Sequence, residues 1–547
     1  MRRRLAHATL ALVGFSLMVS EVARAAEAAQ EATSHRLIIE VRDEDSAERT
    51  PARFSLTVDG EEYGPGELNP HGLVFTSVHE SRGEVQTITY ARGTGPVELS
   101  LPKGARRVEV HVAKGFEYLP ATIAQDVTSA VAHVEVSLKR WANLGANGWF
   151  ATDEHVHYDR LDPAGDSDWF TMLAGDDLSH AHFMMAKGGQ VPGEWARQYA
   201  YGAAGEGSDG ERLITAGEEY RDTAQGHINL LGVSEIVQPI YAGTPDHPEN
   251  YPPLHSVLMR ARELGAFNGV AHGASLGREP TAIVDCVLGA LDFFEIANPF
   301  VYAPNLWYQL MNCGYHLPPA GGTDLPNFSA RDAWQPFLGS MRMYVRVGEA
   351  RDFATWRERV RRGEVFITAG PLLSFTVNGR PSGSDVELPA AGDVEIEAEI
   401  SSPLGVRQFE LILNGRPVAA EIETRTVNGV TRWRLHQRLH IDQSSWVAVR
   451  GVGSPIHVLK KIGVLNVRPT SLTDAIAHSS AIRILVGGRP IRFADDIEAL
   501  VNVLEKKRDF YRRQARYSQS EHREEMLVLF DRAIARLETR RHEVQTK

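Results

Sequence analysis

The chain is organised around the stretch Trp149-Phe150-Ala151-Thr152-Asp153-Glu154-His155-Val156-His157-Tyr158-Asp159. An apolar run leads into an Asp-x-His-x-His pattern, which is typical of the end of a β-strand. Because strand side chains alternate between two faces, His155 and His157 point to the same side. Both imidazoles can therefore reach one metal ion. A pair of surface histidines in a loop is the alternative that this stretch alone leaves open.

Length and composition describe an ordinary soluble protein. The 547 residues suffice for several domains of the usual size, about 100 to 200 residues each. A formal net charge of −12 disfavours binding to nucleic acid or anionic lipid. The basic run at residues 506–513 lies in a helical pattern with acidic neighbours, which indicates a solvated helix face. A small-molecule substrate is therefore the expected partner.

The first 25 residues have the pattern of a secretory signal peptide. Arg2-Arg3-Arg4 precedes an apolar run at residues 5–19, and Ala23-Arg24-Ala25 fits a small-x-small cleavage site. The apolar run is shorter than the ~20 residues of a membrane-spanning helix, and no later segment approaches that length. We predict a periplasmic or secreted protein without a membrane anchor. An uncleaved N-terminal anchor is the alternative.

The chain contains two cysteines, Cys286 and Cys313, both in apolar segments with a helical pattern. An exported protein with this few cysteines does not depend on a disulfide framework. We therefore predict two buried free thiols.

The spacing of apolar residues divides the mature chain into four parts. Residues 35–140 contain short alternating strands between turns, which predicts a β-sandwich. Residues 146–370 alternate strands with helices, which predicts parallel strands in a barrel or open α/β sheet, with function at the C-terminal strand ends. Residues 371–490 predict a second β-sandwich, and residues 493–545 a packed pair of helices or, alternatively, a dimerisation hairpin. The glycine-rich residues 202–210 form either a lid or a connector.

Residues that can bind a metal recur where strands of the α/β region should end. Each lies one or two residues from a glycine near the end of a small or apolar stretch, so that it can protrude with room for an ion. Beyond the first two histidines, these residues are Glu219, His227, His272 and Asp324. Such a set of imidazoles and carboxylates suits Zn²⁺, Mn²⁺ or Fe²⁺ better than Ca²⁺ or Mg²⁺. Taken singly, His272 can equally be a structural histidine, and Glu219 with Glu218 a surface pair.

The order of these motifs resembles the PHP (polymerase and histidinol phosphatase) superfamily, specifically its CehA/McbA-type metallohydrolase branch, named for carbaryl hydrolases. The likeness covers nearly the whole mature chain, because residues 114–120, residues 363–373 and the flanking β-domains also match. The resemblance implies a multi-domain α/β plus β protein. Its centre would be a distorted (β/α)7 PHP-type barrel with metal at the strand ends, flanked by β-sandwiches and followed by C-terminal helices.

By position, the resemblance also implies which residues hold each of two ions. A first ion would be held by His155, His157, Glu219 and Asp324, and a second by Glu219, His227 and His272. Glu219 is preferred over Glu218 as the shared ligand because the family spacing resembles Gly-x-Glu. Asp324 would also take a proton from water, and Asp153 would orient a ligand histidine.

One departure from the family pattern sets the expected number of ions. The family often ends in Asp-x-His, whose histidine helps to hold a third ion, whereas Asp324 is followed by Leu325-Pro326. His180 and His182 are possible substitutes, although a structural or substrate-facing role suits them better. We therefore predict two divalent transition-metal ions.

A metal centre of this kind can hydrolyse esters, carbamates or phosphoesters with nearly the same set of ligands. The family branch favours an ester or carbamate bond. A phosphoesterase is the alternative, and Arg160, Arg221 and Arg278 lie near the motifs as candidate phosphate ligands. A non-enzymatic ligand-binding protein with a structural metal is the second alternative.

Overall fold

The computed structural model describes residues 33–78, 85–187, 193–239, 241–243, 247–274, 281–299, 301–326, 337–453 and 475–545. Over these residues the protein is a mixed α/β structure in which strands predominate and form several sheets. No helix in these ranges combines the length and the apolar character needed to cross a membrane. The predicted signal peptide and Arg278 lie outside the described residues.

The N-terminal part consists of two sheets around a common core. Its strands are β1 (Thr33–Asp43), β2 (Ala52–Val58), β3 (Glu61–Tyr63), β4 (Gly72–Val78), β5 (Val85–Ala91), β6 (Val97–Pro102), β7 (Arg107–Ala113), β8 (Ala121–Asp126) and β9 (Val131–Leu138). One sheet has the order β6-β1-β9 and the other β4-β5-β2-β7-β8, with β3 beside β2. Leu37, Phe54 and Val110 represent the inward-facing residues, which alternate with exposed ones because strand side chains have a period of two.

The central part contains both strands and helices, and four of the five α-helices described in it lie after residue 250. Its elements are β10 (Trp149–Val156), α1 (Asp166–Gly175), β11 (His180–Lys187), β12 (Glu194–Trp195), β13 (Gly207–Ser208), β14 (Leu213–Asp222), β15 (Gly226–Leu231), β16 (Tyr241–Ala242), α2 (Leu254–Glu263), β17 (Phe267–Val270), α3 (Ala282–Val287), β18 (Phe293–Asn298), β19 (Val301–Tyr302), α4 (Asn305–Asn312), β20 (Pro319–Gly321), β21 (Arg342–Arg346), α5 (Phe353–Arg361) and β22 (Val365–Thr368). Short 3₁₀ helices cover Gly145–Asn147, Pro163–Gly165, Gly202–Gly205 and His272–Ala274.

Seven strands of the central part pair in the order β10-β11-β14-β15-β17-β18-β20. An isolated parallel bridge between Val156 and Leu325 brings the chain after β20 back to the end of β10. The pairing therefore places the ends of these strands beside one another, which is where the candidate ligands lie. The closed barrel itself stays a prediction.

The prediction of parallel strands is wrong for β15, which runs antiparallel to both β14 and β17. The connection between β14 and β15 spans only residues 223–225. A turn this short joins antiparallel strands, whereas a parallel pair needs a crossover of about a dozen residues or more. Glu219 and His227 consequently lie on neighbouring strands of one hairpin.

The C-terminal part contains two further layers of strands and two helices. Its elements are β23 (Leu372–Val377), β24 (Arg380–Pro381), β25 (Asp385–Leu388), β26 (Gly392–Ser402), β27 (Val406–Leu413), β28 (Arg416–Val418), β29 (Ile422–Val427), β30 (Val430–Ile441), β31 (Ser445–Gly453), β32 (Ala475–Ser479), β33 (Ile482–Val486), α6 (Ala494–Arg513) and α7 (Ser520–Gln545). One sheet has the order β24-β23-β26-β30-β29. The other layer is not separate from the central part, because β32 pairs with β22 and continues the central sheet.

The two C-terminal helices pack on each other and on the central part of the same chain. Leu504 of α6 and Phe530 of α7 are fully buried in the core that contains the central helices. The Tyr511 hydroxyl donates to the carbonyl oxygen of Ala224, 2.9 Å away. These contacts correspond to the packed-pair alternative.

Two further sequence predictions can be compared with the fold. Cys286 and Cys313 are buried free thiols, as predicted. The glycine-rich residues 202–210 form a connector: β13 pairs with Leu213 and Ile214 at the start of β14, whereas Glu219 lies near the other end of that strand.

Candidate metal centre

The structure brings all six predicted ligands together in two overlapping groups. The first group is His155, His157, Glu219 and Asp324, and the second is Glu219, His227 and His272. Within each group, one ligand atom from every residue lies within 4.8 Å of the others. Five of the six residues are buried, and the sixth, His227, has a side chain that is 27% exposed. The second group is therefore the side from which solvent reaches the centre.

The two histidines of the opening motif are oriented by hydrogen bonds on their outer nitrogens. His155 Nδ1 lies 2.8 Å from Glu295 Oε2, and His157 Nδ1 lies 2.7 Å from the carbonyl oxygen of Met184. Because a carboxylate and a carbonyl can only accept, we assign the proton of each ring to Nδ1. The Nε2 lone pairs then face each other across 3.0 Å, as expected of two ligands to one ion.

Glu219 is the residue that both groups share. Its Oε2 lies 3.2 Å from His157 Nε2, and its Oε1 lies 3.0 Å from His227 Nδ1 and 3.5 Å from His272 Nε2. Arg221 Nε donates to Oε2 at 2.7 Å. Glu218 faces the other side of the strand, where its carboxyl accepts from the backbone N–H of Val237 at 2.9 Å. The strand register therefore agrees with the choice of Glu219.

Asp324, which lies in a loop, and His272, which begins a short 3₁₀ helix, both have a strained backbone. Both have positive φ angles, 52° for Asp324 and 56° for His272, which non-glycine residues adopt at a cost. Gly322 lets the Asp324 loop approach β10, since a Cβ at that position would lie 2.6 Å from the backbone nitrogen of His155. Asp324 Oδ1 lies 3.5 Å from His155 Nε2 and 3.4 Å from His157 Nε2. Strain at two candidate ligands is consistent with a functional site.

The groups of the cluster stabilise each other's charged forms. Burial alone would raise the pKa of Glu219, but Arg221 and the nearby histidines hold it well below its usual range. Burial would likewise lower the pKa of His272, but Asp324 and Glu219 raise it to about 9. The buried carboxylates thus attract positive charge. In a metal-free protein, protonated histidines provide this charge. Divalent ions would provide more positive charge at the same place. The donor set fits such ions.

The role predicted for Asp153 needs correction. Its carboxylate accepts from the backbone N–H and hydroxyl of Thr323, at 2.9 and 2.7 Å, and from the backbone N–H of Gly339 at 2.8 Å. Asp153 also accepts from the backbone N–H of His155 at 3.3 Å, whereas the His155 imidazole contacts Glu295. Asp153 therefore holds the Asp324 loop against β10, and the ring of His155 is oriented by Glu295.

Sequence reasoning missed Glu295 and its neighbours. Glu295 and Glu154 are fully buried carboxyl groups, and Asn229 Nδ2 donates to both at 3.2 Å. Burial and the adjacent Glu295 raise the pKa of Glu154 well above its usual range. One signal was available: a single carboxylate in the otherwise apolar run Phe293-Phe294-Glu295-Ile296-Ala297 has to be paired or to serve a function.

His180 and His182 do not join the centre. Both are fully buried, and their rings pack against Phe353 and Trp356 of α5. His180 Nε2 lies 2.8 Å from Thr215 Oγ1, and burial lowers the pKa of His180 to about 3. The structure therefore makes them neutral core residues, so they do not replace the missing histidine of a third site.

A cavity of about 350 Å³ adjoins the first group through His157. Its other described lining residues are Phe75, Thr76, Ser77, Tyr158, Asp159, Trp169, Trp195, Ala196 and Pro326. The indole of Trp195 lies 4.8 Å from the imidazole of His157, measured between ring centroids. Space for a small molecule is thus present beside His157, whose side chain is itself fully buried.

Substituting Glu295 with glutamine should weaken metal binding about ten- to a hundredfold, because an amide replaces the carboxyl group that accepts from His155 Nδ1–H. A chelator-competition titration of the purified protein measures this affinity. Glu154→Gln is the matched control, since Glu154 also accepts from Asn229 whereas the contact to His155 Nδ1 is made by Glu295, and the metal affinity of this variant should change less than about threefold. Equal losses in both variants would contradict the specific role of Glu295.

Comparisons with known proteins assign no family. No protein-family model and no curated protein matches the chain. Among solved structures, the lesion-specific endonuclease PfuEndoQ from Pyrococcus furiosus is 13% identical with a TM-score of 0.25, covering 39% of this chain and 55% of that one. Endonuclease Q in complex with a 27-mer duplex carrying an abasic lesion is 15% identical with a TM-score of 0.25, covering 40% and 56%. The chain spans little more than half of these structures, and at this TM-score neither its fold nor its function follows from them.

Proposed function

We propose that the protein is a hydrolase that uses two divalent transition-metal ions, Zn²⁺, Mn²⁺ or Fe²⁺, to cleave an ester or carbamate-type bond. The observation that carries the proposal is the position of Glu219 between two histidine groups. Its two oxygens face different groups, at 3.0 Å from His227 and 3.2 Å from His157. A carboxylate that faces two ligand groups suits a two-metal hydrolytic centre, in which both ions act on one bond.

Each residue of the centre has a proposed role in metal binding or proton transfer. His155, His157, Glu219 and Asp324 would hold one ion, and Glu219, His227 and His272 the other. When bound, such ions polarise a carbonyl oxygen and lower the pKa of water. Although burial opposes it, His155 and the other nearby histidines hold the pKa of Asp324 well below its usual range. Its carboxylate is therefore ionised at neutral pH, which is the form that binds a cation. Acceptance of a proton from water by Asp324 is a further part of the proposal.

The described cations around the centre favour a neutral substrate over a phosphoester. Arg160 donates two hydrogen bonds to Asp166, at 2.9 and 2.7 Å, and is fully buried. Arg221 is engaged with Glu219 and lies 5.0 Å from the ring centroid of Trp195. Phosphate recognition usually depends on arginine or lysine available to the ligand. Ester or carbamate hydrolysis is therefore preferred to the phosphoesterase alternative.

Family membership and export belong to the same proposal. Assignment to the CehA/McbA-type branch of the PHP superfamily rests on the motif order of the sequence. Export to the periplasm or the medium rests on the arginines and the apolar run of the first 25 residues.

The proposal is tested by loading the purified protein with each metal and measuring both metal content and turnover. We expect about two ions per chain, because the ligands form two groups that share one carboxylate. Phenyl acetate or a phenyl N-methylcarbamate should be hydrolysed faster than phenyl phosphate. Absence of stoichiometric metal would refute the metal centre. Faster release of phosphate than of the other products would establish the phosphoesterase alternative. Bound metal without turnover of any substrate would indicate a structural metal site.

A further inference from the structure

A cavity of about 280 Å³ lies away from the candidate metal centre, where the end of α4, strands β31 and β33 and the segment leading into α6 meet. No candidate metal ligand is among its described lining residues. We propose that this cavity is a binding site for a small organic anion, a carboxylate with an apolar body. The proposal goes beyond the hydrolase and does not depend on it.

The lining of the cavity is cationic. Its described charged side chains are Arg483, Arg489 and Arg492, and no described aspartate or glutamate lines it. His316 also lines the cavity but is neutral at pH 7, because burial and the nearby Arg483 lower its pKa to about 4. The whole chain carries a formal net charge of −12. The cavity is therefore a local place of positive charge that attracts anions in a protein that otherwise repels them.

Carboxylates beside the cavity neutralise only part of this charge. Arg483 donates to Asp385 through Nε and Nη2, at 2.7 and 2.6 Å. Arg492 Nε lies 3.8 Å from Glu543, which is too far for a hydrogen bond. The side chain of Arg489 is exposed and forms no ion pair with a described residue. One lining arginine is thus fully paired, one is weakly paired and one is free to bind a ligand.

A fourth arginine adds positive charge behind the lining. Arg540 of α7 donates to the carbonyl oxygen of Cys313 at 2.7 Å, and Arg492 Nη1 lies 3.4 Å from the same oxygen. The Arg540 guanidinium also lies 3.7 Å from the ring centroid of Tyr315, which lines the cavity. Burial and the neighbouring Arg540 lower the pKa of Arg492 below its usual range. An anion in the cavity would offset the repulsion between these two cations.

The remaining walls suit the apolar body of such a ligand. Met311, Trp446, Leu485 and Ile491 are among the apolar lining residues. The Trp446 indole N–H donates to Asn312 Oδ1 at 2.7 Å, which fixes the orientation of the ring. Apolar walls with a few charged groups are the usual form of a small-molecule site. The volume of about 280 Å³ suits a molecule such as benzoate or octanoate better than a nucleotide.

Isothermal titration calorimetry with benzoate, octanoate and the neutral analogue benzamide tests the proposal. Both carboxylates should bind with a Kd on the order of 1 mM or tighter, and benzamide at least about tenfold more weakly. Arg489→Gln should weaken binding of both carboxylates about tenfold. Arg425→Gln is the matched control, because it removes the same charge from an exposed position on β29, which contributes no described residue to the lining. Its Kd values should stay within about twofold of the wild type.

Because carboxylates can also bind a metal ion, the titrations are run on both the metal-loaded and the metal-free protein. The Kd that depends on Arg489 should be the same in both forms, whether or not the protein hydrolyses any ester. Carboxylate binding that disappears with the metal would assign it to the metal centre and overturn the proposal. Equal Kd values for benzoate and benzamide, an unchanged Kd in a folded Arg489→Gln variant, or no binding of either carboxylate would overturn it as well. Circular dichroism verifies the fold of each variant.

Discussion

Glu219→Gln is expected to reduce hydrolysis by at least about a thousandfold, because loss of the shared carboxylate removes several kcal/mol of stabilisation from both metal groups. Glu219 is fully buried and contacts His157, His227 and Arg221. The amide that replaces it has the same size but no charge with which to offset two cations. Metal content should fall with activity, and circular dichroism should show a retained fold.

The matched control for this experiment is Glu218→Gln in the same strand. Burial raises the pKa of Glu218 to about 8, so its carboxyl is neutral at pH 7, and a glutamine amide keeps the acceptor for the Val237 N–H. Turnover should remain within about twofold of the wild type. An inactive Glu218→Gln beside an active Glu219→Gln would show that the register is wrong by one residue. Wild-type turnover in both variants would show that no carboxylate bridge exists.

Removal of the metal with a chelator should abolish turnover and lower the melting temperature by several degrees. An ion present at about a hundred times its Kd stabilises the folded state by about 2.7 kcal/mol, and two ions should contribute roughly additively. Adding back Zn²⁺, Mn²⁺ or Fe²⁺ should restore both the turnover and the melting temperature. Differential scanning calorimetry with a parallel activity assay measures them together. Full activity in the chelated, metal-free protein would contradict the proposed chemistry.

The loss of stability in the metal-free protein should depend on pH. The pKa of His272 is raised to about 9 in the folded protein, compared with 6.5 ordinarily, by Asp324 and Glu219 acting against burial. Its protonated form therefore stabilises the metal-free fold fully below pH 6.5, and this contribution is lost as the pH rises towards 9. The difference in melting temperature between loaded and metal-free protein should widen over that window. If the difference in melting temperature narrows as the pH rises from 6.5 to 9, the predicted direction of this pH dependence is wrong.

The sequence by itself determined the identity and the local direction of the candidate ligands. The two-residue spacing of His155 and His157 places both rings on one side of β10. The same alternation separates Glu219 from Glu218. Such conclusions depend only on the geometry of a single strand, because the order of neighbouring residues predicts which side chains share a face.

Only the tertiary structure decided which distant groups meet. Glu295 is 140 positions from His155, yet it orients that ring in place of Asp153, which binds the Asp324 loop instead. In the same way, Phe75 lies in a different part of the chain from His157 but lines the same cavity. Periodicity specifies the face that a side chain takes on its own strand. Its partner across the fold is set by strand pairing and loop closure, which depend on the packing of the whole chain.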